Sequence, residues 1–300
     1  MGWDKITEQI NPNSIGIDKR STKEIIKIIL SEDKKVIGAI NDSIDFIDKF
    51  INIVVGSLSR GGRLFYLGSG TSGRLGILDA AECPPTFSTS VDLIQGIIAG
   101  GDNAIKSSIE NAEDSFNDGK EIICKYGITK LDIVLGITAS GSTPFVFGGL
   151  KKANELGAIT GIISCNHIKQ DAFIDYMIPL IVGPEVITGS TRMKAGTATK
   201  IVLNMISTIS MIKLNKTFDN LMVDLKATNR KLWDRGTRIV AKLTNLEYDN
   251  ALKILESAHG EVKVAIVMHK LSISYNKAKD RLKNNQSSLR SILDNIDIVN

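Results

Sequence analysis

Five short apolar runs punctuate the chain: 63-RLFYLG-68, 93-LIQGIIAG-100, 132-DIVLGITAS-140, 158-AITGIISC-165 and 177-MIPLIVG-183. Each is too short for a typical helix and is bounded by turn residues, the pattern of a strand buried on both faces. Helical spacing separates most of them, at 73–82, 103–117, 144–156 and 191–213. Strand and helix in alternation mean parallel crossovers, and so a sheet covered on both sides. The expected fold class is α/β, a doubly wound, flavodoxin-like five-stranded parallel sheet with a small C-terminal three-helix piece. In such sheets a ligand sits at the carboxyl ends of the strands, in the loops that lead into helices.

The flanks carry other patterns. Residues 1–20 are polar and turn-rich. Ser21-Thr22-Lys23-Glu24 then opens a helix with a hydroxyl cap and an acid three positions on. Residues 33–59 continue with Val36, Ile40, Ile44, Ile47, Phe50, Ile51 and Val54 at helical spacing. From about 244 the chain reads as helical throughout, and three short helices fit 247–296 with Gly260 as a break. The expected organisation is a main domain over 1–240, its sheet core at about 50–215, and a helical bundle over 244–297.

Composition narrows the class. Of 300 residues 43% are hydrophobic and 23% charged, and the net charge is +4 with no long basic run. That argues against nucleic acid and leaves a mild preference for anionic small molecules. Cys83, Cys124 and Cys165 are dispersed and odd in number, neither a disulfide framework nor a metal cluster. The N-terminal stretch MGWDKITEQINPNS has no apolar core of signal-peptide length. A cytoplasmic protein without a membrane partner is the expectation.

The loops after two strands carry the candidate chemistry. The stretch 68-GSGTSG-73 follows the first strand and opens a helix. Its glycines allow close backbone approach, the helix start offers free N–H groups, and Ser69, Thr71 and Ser72 add hydroxyls. No Lys-Ser/Thr follows, so it is not a Walker loop. Alone, it is equally a tight strand–helix turn with incidental serines. The stretch 139-ASGSTP-144 repeats the chemistry: Ser140, Gly141, Ser142 and Thr143 precede Pro144 at a helix start. Two such loops in neighbouring units can converge on one phosphate and one polyol. A third stretch places Thr188, Ser190 and Thr191 ahead of a helix carrying Arg192 and Lys194. Those cations read either as solvated or as neighbours of a phosphate or a subunit contact.

At these residues the chain resembles a family. The hydroxyl loops resemble the sugar isomerase (SIS) domain, a phosphosugar-binding fold. GSGTSGRLGILDAAECPPTF (68–87), ITEQINPNS (6–14), STKEI (21–25), EDKKV (32–36) and GPEVITGSTRMKAGTATKIVLNM (183–205) resemble the N-acetylmuramic acid 6-phosphate etherases. The last motif is shared with glucokinase regulatory proteins, which bind phosphosugars without turnover. The resemblance spans nearly the whole chain. It implies hydrolytic removal of the lactyl ether of N-acetylmuramic acid 6-phosphate, giving N-acetylglucosamine 6-phosphate and D-lactate. It also implies a homodimer, no metal or organic cofactor, and two functional glutamates that fall on Glu82 and Glu113. The binding set is Ser69, Gly70, Thr71 and Ser72 with Ser140, Gly141, Ser142 and Thr143.

Two acids suit that reaction. An alkyl ether is a poor leaving group, but the open-chain sugar's aldehyde acidifies the hydrogen on carbon 2. A base removes it, an acid protonates the departing lactyl oxygen at carbon 3, and water then adds at carbon 3. General acids and bases contribute about 10²–10⁴-fold each. With the helix ending at Pro84-Pro85, Glu82 lies at its negative end, where a carboxylate is disfavoured and suits a proton donor. Glu113, on the predicted helix 103–117, lies at the edge of the stripe Ile105, Ile109, Ala112 and Phe116, whereas Glu110 points away. Glu113 is therefore the group that moves the carbon 2 proton. The alternatives are a phosphosugar sensor without turnover, and an aldose–ketose isomerase, which the ECPP segment does not resemble. His167, His259 and His269 share no metal-ligand spacing.

Overall fold

The structure, a computed structural model, describes residues 4–169, 171–284 and 288–297. Three short 3-10 turns, Ile6–Glu8, Pro12–Ser14 and Ile17–Lys19, lead into helices α1 (Thr22–Asp33), α2 (Lys35–Asn41) and α3 (Ile44–Ser59). Then come β1 (Leu64–Gly68), α4 (Gly70–Phe87), β2 (Ile94–Ile98), α5 (Asn103–Lys106), α6 (Phe116–Lys125) and β3 (Ile133–Thr138). They are followed by α7 (Pro144–Glu155), β4 (Ile159–Ser164), β5 (Tyr176–Pro179) and α8 (Lys194–Lys213). Further helices are α9 (Arg230–Thr244), α10 (Tyr248–Ser257), α11 (Val262–Leu271), α12 (Tyr275–Asn284) and α13 (Leu289–Asp297). The elements form two compact units, Met1–Ala81 with Val91–Ser210 and Glu82–Ser90 with Met211–Asn300.

The first unit is built on the expected α/β sheet. Its five strands are all parallel, in the order β2-β1-β3-β4-β5. The chain leaves β1 for one edge and returns to β3 on the other side, so β1 and β3 flank the switch point where such sheets bind ligands. Side chains alternate between the faces. Phe65 and Leu67 enter a cluster with Ile123, Phe145, Val146 and Leu150 of α6 and α7. Tyr66, between them, points the other way and donates its hydroxyl to Asp79 of α4 at 2.9 Å. Helices α6 and α7 meet backbone to backbone. A Cβ on Gly119 would lie 2.0 Å from the Phe145 carbonyl oxygen, and one on Gly148 2.0 Å from that of Phe116.

The second unit has its own core, including Val223, Leu225, Val240, Leu255, Val262 and Ile266. Among the described residues four helices follow residue 247 where the sequence pattern suggested three, because Ser272, at φ 52°, ends α11 and a separate α12 begins. Helix α8 is long and apolar enough to cross a bilayer, yet 56% of its apolar window is buried inside the fold.

Two expectations near the candidate acids are corrected. The helix predicted to stop at Pro84-Pro85 runs on to Phe87 with both prolines inside it. Proline's fixed φ is compatible with a helix, but each ring removes an N–H donor and crowds the carbonyl four residues back, a cost that packing of the final turn has to offset. The buried ring of Phe87 anchors the end. Glu82 thus lies more than a turn before the terminus, away from the last turn where the negative dipole end acts. The second correction concerns 103–117, which is not one helix. A single turn, α5, gives way to a loop, and α6 starts at Phe116 under a Ser115 cap that accepts from Asp118 N–H. Glu113 sits in that loop.

Candidate active site

A cavity of about 620 Å³ opens at the switch point of the first unit. One wall is the β1–α4 turn, Ser69 to Ser72. A second is the β3–α7 loop, with Thr138, Ala139, Ser140, Ser142 and Thr143. Thr188, Gly189 and Thr191 form a third, Glu113 and Asp114 a fourth, and Lys5 and Glu8 of the N-terminal segment complete it. Both sequence-predicted hydroxyl loops therefore meet here, as does Glu113.

Local chemistry shapes each wall. The β1–α4 turn is so tight that a Cβ on Gly68 would come within 2.7 Å of the Gly73 nitrogen. Gly70 has φ +50°, a value that glycine adopts without strain. Gly70, Thr71 and Ser72, the first residues of α4, line the cavity, and a helix N-terminus is a favourable place for an anion. In the β3–α7 loop the buried Thr138 hydroxyl pairs with that of Thr143 at 2.8 Å and accepts from Gly141 N–H at 3.1 Å. Ser140 and Ser142 pair at 3.3 Å. Thr143 stands at the N-cap position of α7, its hydroxyl turned to Thr138 and not to the helix backbone, and Pro144 occupies the first position. Two helix N-termini thus face one space. Gly141 itself does not line the cavity but turns the loop, at φ +69°.

Glu113 is held at both ends. Its carboxylate accepts from Ser69 Oγ at 3.0 Å, and its carbonyl accepts from Phe145 N–H at 3.0 Å. The hydroxyl loop and the acid are therefore in direct contact. Glu82 is exposed, belongs to the second unit and is not among the residues lining this cavity. His167 is exposed and does not line it either.

The two cations of the third stretch separate. Arg192 is exposed and outside the cavity lining. Lys194 is buried: its ammonium meets Glu32 Oε2 at 2.6 Å and the Pro184 carbonyl at 2.6 Å. Glu32 also accepts from Asn11, Asn13 and Lys35. Burial pushes the Glu32 pKa up, but hydrogen bonds from Lys194, then Lys35, Asn13 and Asn11, outweigh it and bring it down to about 2. Buried Glu185 accepts from the backbone N–H groups of Lys194 and Ala195 at the start of α8. Burial dominates there and raises its pKa. Lys194 is thus a structural cation that ties α1, the 184–191 loop and α8 together. Burial, and then the charge of Glu185, pushes the Cys165 thiol up to about 12, so it is no nucleophile. Among the described residues no group of three or more His, Cys, Asp or Glu could hold a metal ion.

Sequence pattern did not point to Lys5 or Glu8. They sit in a polar, aperiodic segment stitched down at Thr7, which is fully buried. Thr7 N–H donates to Asn166 Oδ1 at 3.3 Å, Asn166 Nδ2 donates to Thr7 Oγ1 at 3.0 Å, and Gly189 N–H donates to the Thr7 carbonyl at 3.1 Å.

A family model for the glucokinase regulatory protein N-terminal SIS domain matches residues 46–154. The N-acetylmuramic acid 6-phosphate etherase of Trichodesmium erythraeum is 45% identical over 292 residues, covering 97% of this chain and 95% of its own. That of Clostridium beijerinckii is 47% identical over 294 residues, covering 97% and 96%. Among solved structures, a phosphoheptose isomerase from Neisseria gonorrhoeae has a TM-score of 0.48 at 14% identity, covering 63% of this chain and 98% of its own.

Proposed function

The chain belongs to the N-acetylmuramic acid 6-phosphate etherase family, and from that premise we propose that its reaction runs in the cavity between the two hydroxyl loops. The protein is a carbon–oxygen lyase. It converts N-acetylmuramic acid 6-phosphate to N-acetylglucosamine 6-phosphate and D-lactate, a step in amino-sugar recycling. The observation that carries the placement is the 3.0 Å bond from Ser69 to Glu113, which joins a phosphosugar-type loop to a proton-transfer group.

The phosphate is held by Ser140, Ser142 and Thr143 at the start of α7, and the sugar chain extends toward Ser69, Thr71 and Ser72. Glu113, oriented by Ser69, takes the proton from carbon 2 of the open-chain aldehyde. Elimination then expels lactate from carbon 3, and water adds to the same carbon. Glu82 is kept as the second functional glutamate on the family resemblance; with Glu113 taking the carbon 2 proton, protonation of the departing oxygen falls to it. Because it is exposed and outside the cavity lining, we assign that role to the place where two copies of the chain meet. Ile26, Leu30, Ile37, Ile44 and Phe46 on α1–α3 are large apolar residues left exposed, and a second copy is the partner proposed to cover them. Three cysteines, odd in number and dispersed along the chain, suit a reducing, cytoplasmic setting.

Incubation with N-acetylmuramic acid 6-phosphate and assay of D-lactate tests the reading. Tight phosphosugar binding without lactate would instead mark a sensor, a reading that no observation here favours.

A further inference from the structure

The substrate carries a phosphate and a lactyl carboxylate, and the cavity is not built of cations. Among the described residues that line it, the carboxylates of Glu8, Glu113 and Asp114 face a single ammonium, that of Lys5. Two hydroxyl loops and two helix N-termini attract an anion, but three acids oppose it. Lys5 is where the balance is corrected. Its Nζ donates to Ser142 Oγ, in the loop where the phosphate is placed. The two residues lie 137 positions apart in sequence, so nothing local brings them together.

The backbone holds Lys5 in reach. Two residues on, Thr7 is pinned to Asn166, which also donates to the Ala139 carbonyl of that loop at 2.9 Å. Thr7 accepts from Gly189 on a further wall. Asn11 then donates to Glu32 at 2.8 Å and to the Pro184 carbonyl at 3.0 Å. A lysine on so firmly anchored a segment loses less freedom on meeting an anion than one on a free tail.

We propose that Lys5 is a substrate-binding residue: its ammonium, on the N-terminal strap, leaves Ser142 for the phosphate oxygens and supplies the counter-charge that the hydroxyl loops lack. The inference rests on the placement of substrate in this cavity.

The test is calorimetric binding of N-acetylglucosamine 6-phosphate to the full chain and to Lys5→Ala, Lys5→Arg and Ser142→Ala, at low and high salt. At low salt Lys5→Ala is expected to raise Kd about tenfold, or about 1.4 kcal/mol. The gap narrows at high salt, and Lys5→Arg restores binding to within about threefold. Ser142→Ala weakens binding at both salts. If Ser142→Ala weakens binding and Lys5→Ala does not, the Lys5 inference is overturned and the cavity stands. If neither changes Kd, the cavity assignment falls, and the inference with it.

Discussion

A few side chains decide this molecule's chemistry, and some of the most constrained lie outside the cavity lining. Glu32 and Lys194 form a buried ion pair that fixes the 184–191 loop, the source of Thr188, Gly189 and Thr191. Removing one partner of such a pair leaves a buried charge and costs about 3–5 kcal/mol. Glu32→Gln is expected to destabilise the protein by that order. The pH dependence has a definite sign. The Glu32 pKa is lowered from 4.5 to about 2, so its contribution is present above pH 4.5 and fades as pH falls toward 2. Denaturant unfolding across that window should show an acid-side loss of stability in the parent and none from this source in Glu32→Gln. Equal stability and equal pH profiles would refute the role. The hydroxyl loops were legible because the same serine, threonine and glycine chemistry recurs at two strand–helix junctions, where one alone would read equally as a tight turn. Lys194 was not: in sequence a lysine two positions after an arginine reads as solvated or as a neighbour of a phosphate or subunit contact, and only tertiary packing shows its burial.

At the scale of elements, the sheet was legible and one loop was not. Buried parallel strands are continuous apolar runs, and the five runs fell within a few residues of β1 to β5. The predicted helix 103–117 failed for a physical reason. Ile105, Ile109 and Phe116 keep helical spacing, yet each is more than a third exposed, so the stripe buries too little to hold a helix. Asn111 adopts φ +61° and Ser115 caps the next helix instead. The loop is useful, because it carries Glu113 to Ser69. Its far end is set by the α6–α7 contact, where Gly148 admits the Phe116 carbonyl. Gly148→Ala would gain up to about 1 kcal/mol of helix propensity. Overpacking should cost about 1–3 kcal/mol and prevail. The expected result is a lower unfolding midpoint together with slower lactate release, since α6 begins three residues after Glu113. A variant more stable than the parent would contradict the packing argument.

At the scale of the whole molecule, the proposed placing of Glu82 where two copies meet has its own test. If two copies share each site, Glu82→Gln and Glu113→Gln are each inactive alone but complement when mixed. Random pairing makes half the dimers mixed, each with one intact site of two, so about a quarter of parental activity should return. No recovery after demonstrated subunit exchange would place Glu82 elsewhere. The central claim, that the cavity at the β1/β3 switch point carries out the ether cleavage through Glu113, has a more direct test. D-lactate release from N-acetylmuramic acid 6-phosphate is measured for the parent and for Glu113→Gln, with N-acetylglucosamine 6-phosphate binding measured on the same preparations. Glu113→Gln is expected to release lactate at least about 100-fold more slowly with Kd within about threefold; release at close to the parental rate would remove Glu113 from the reaction.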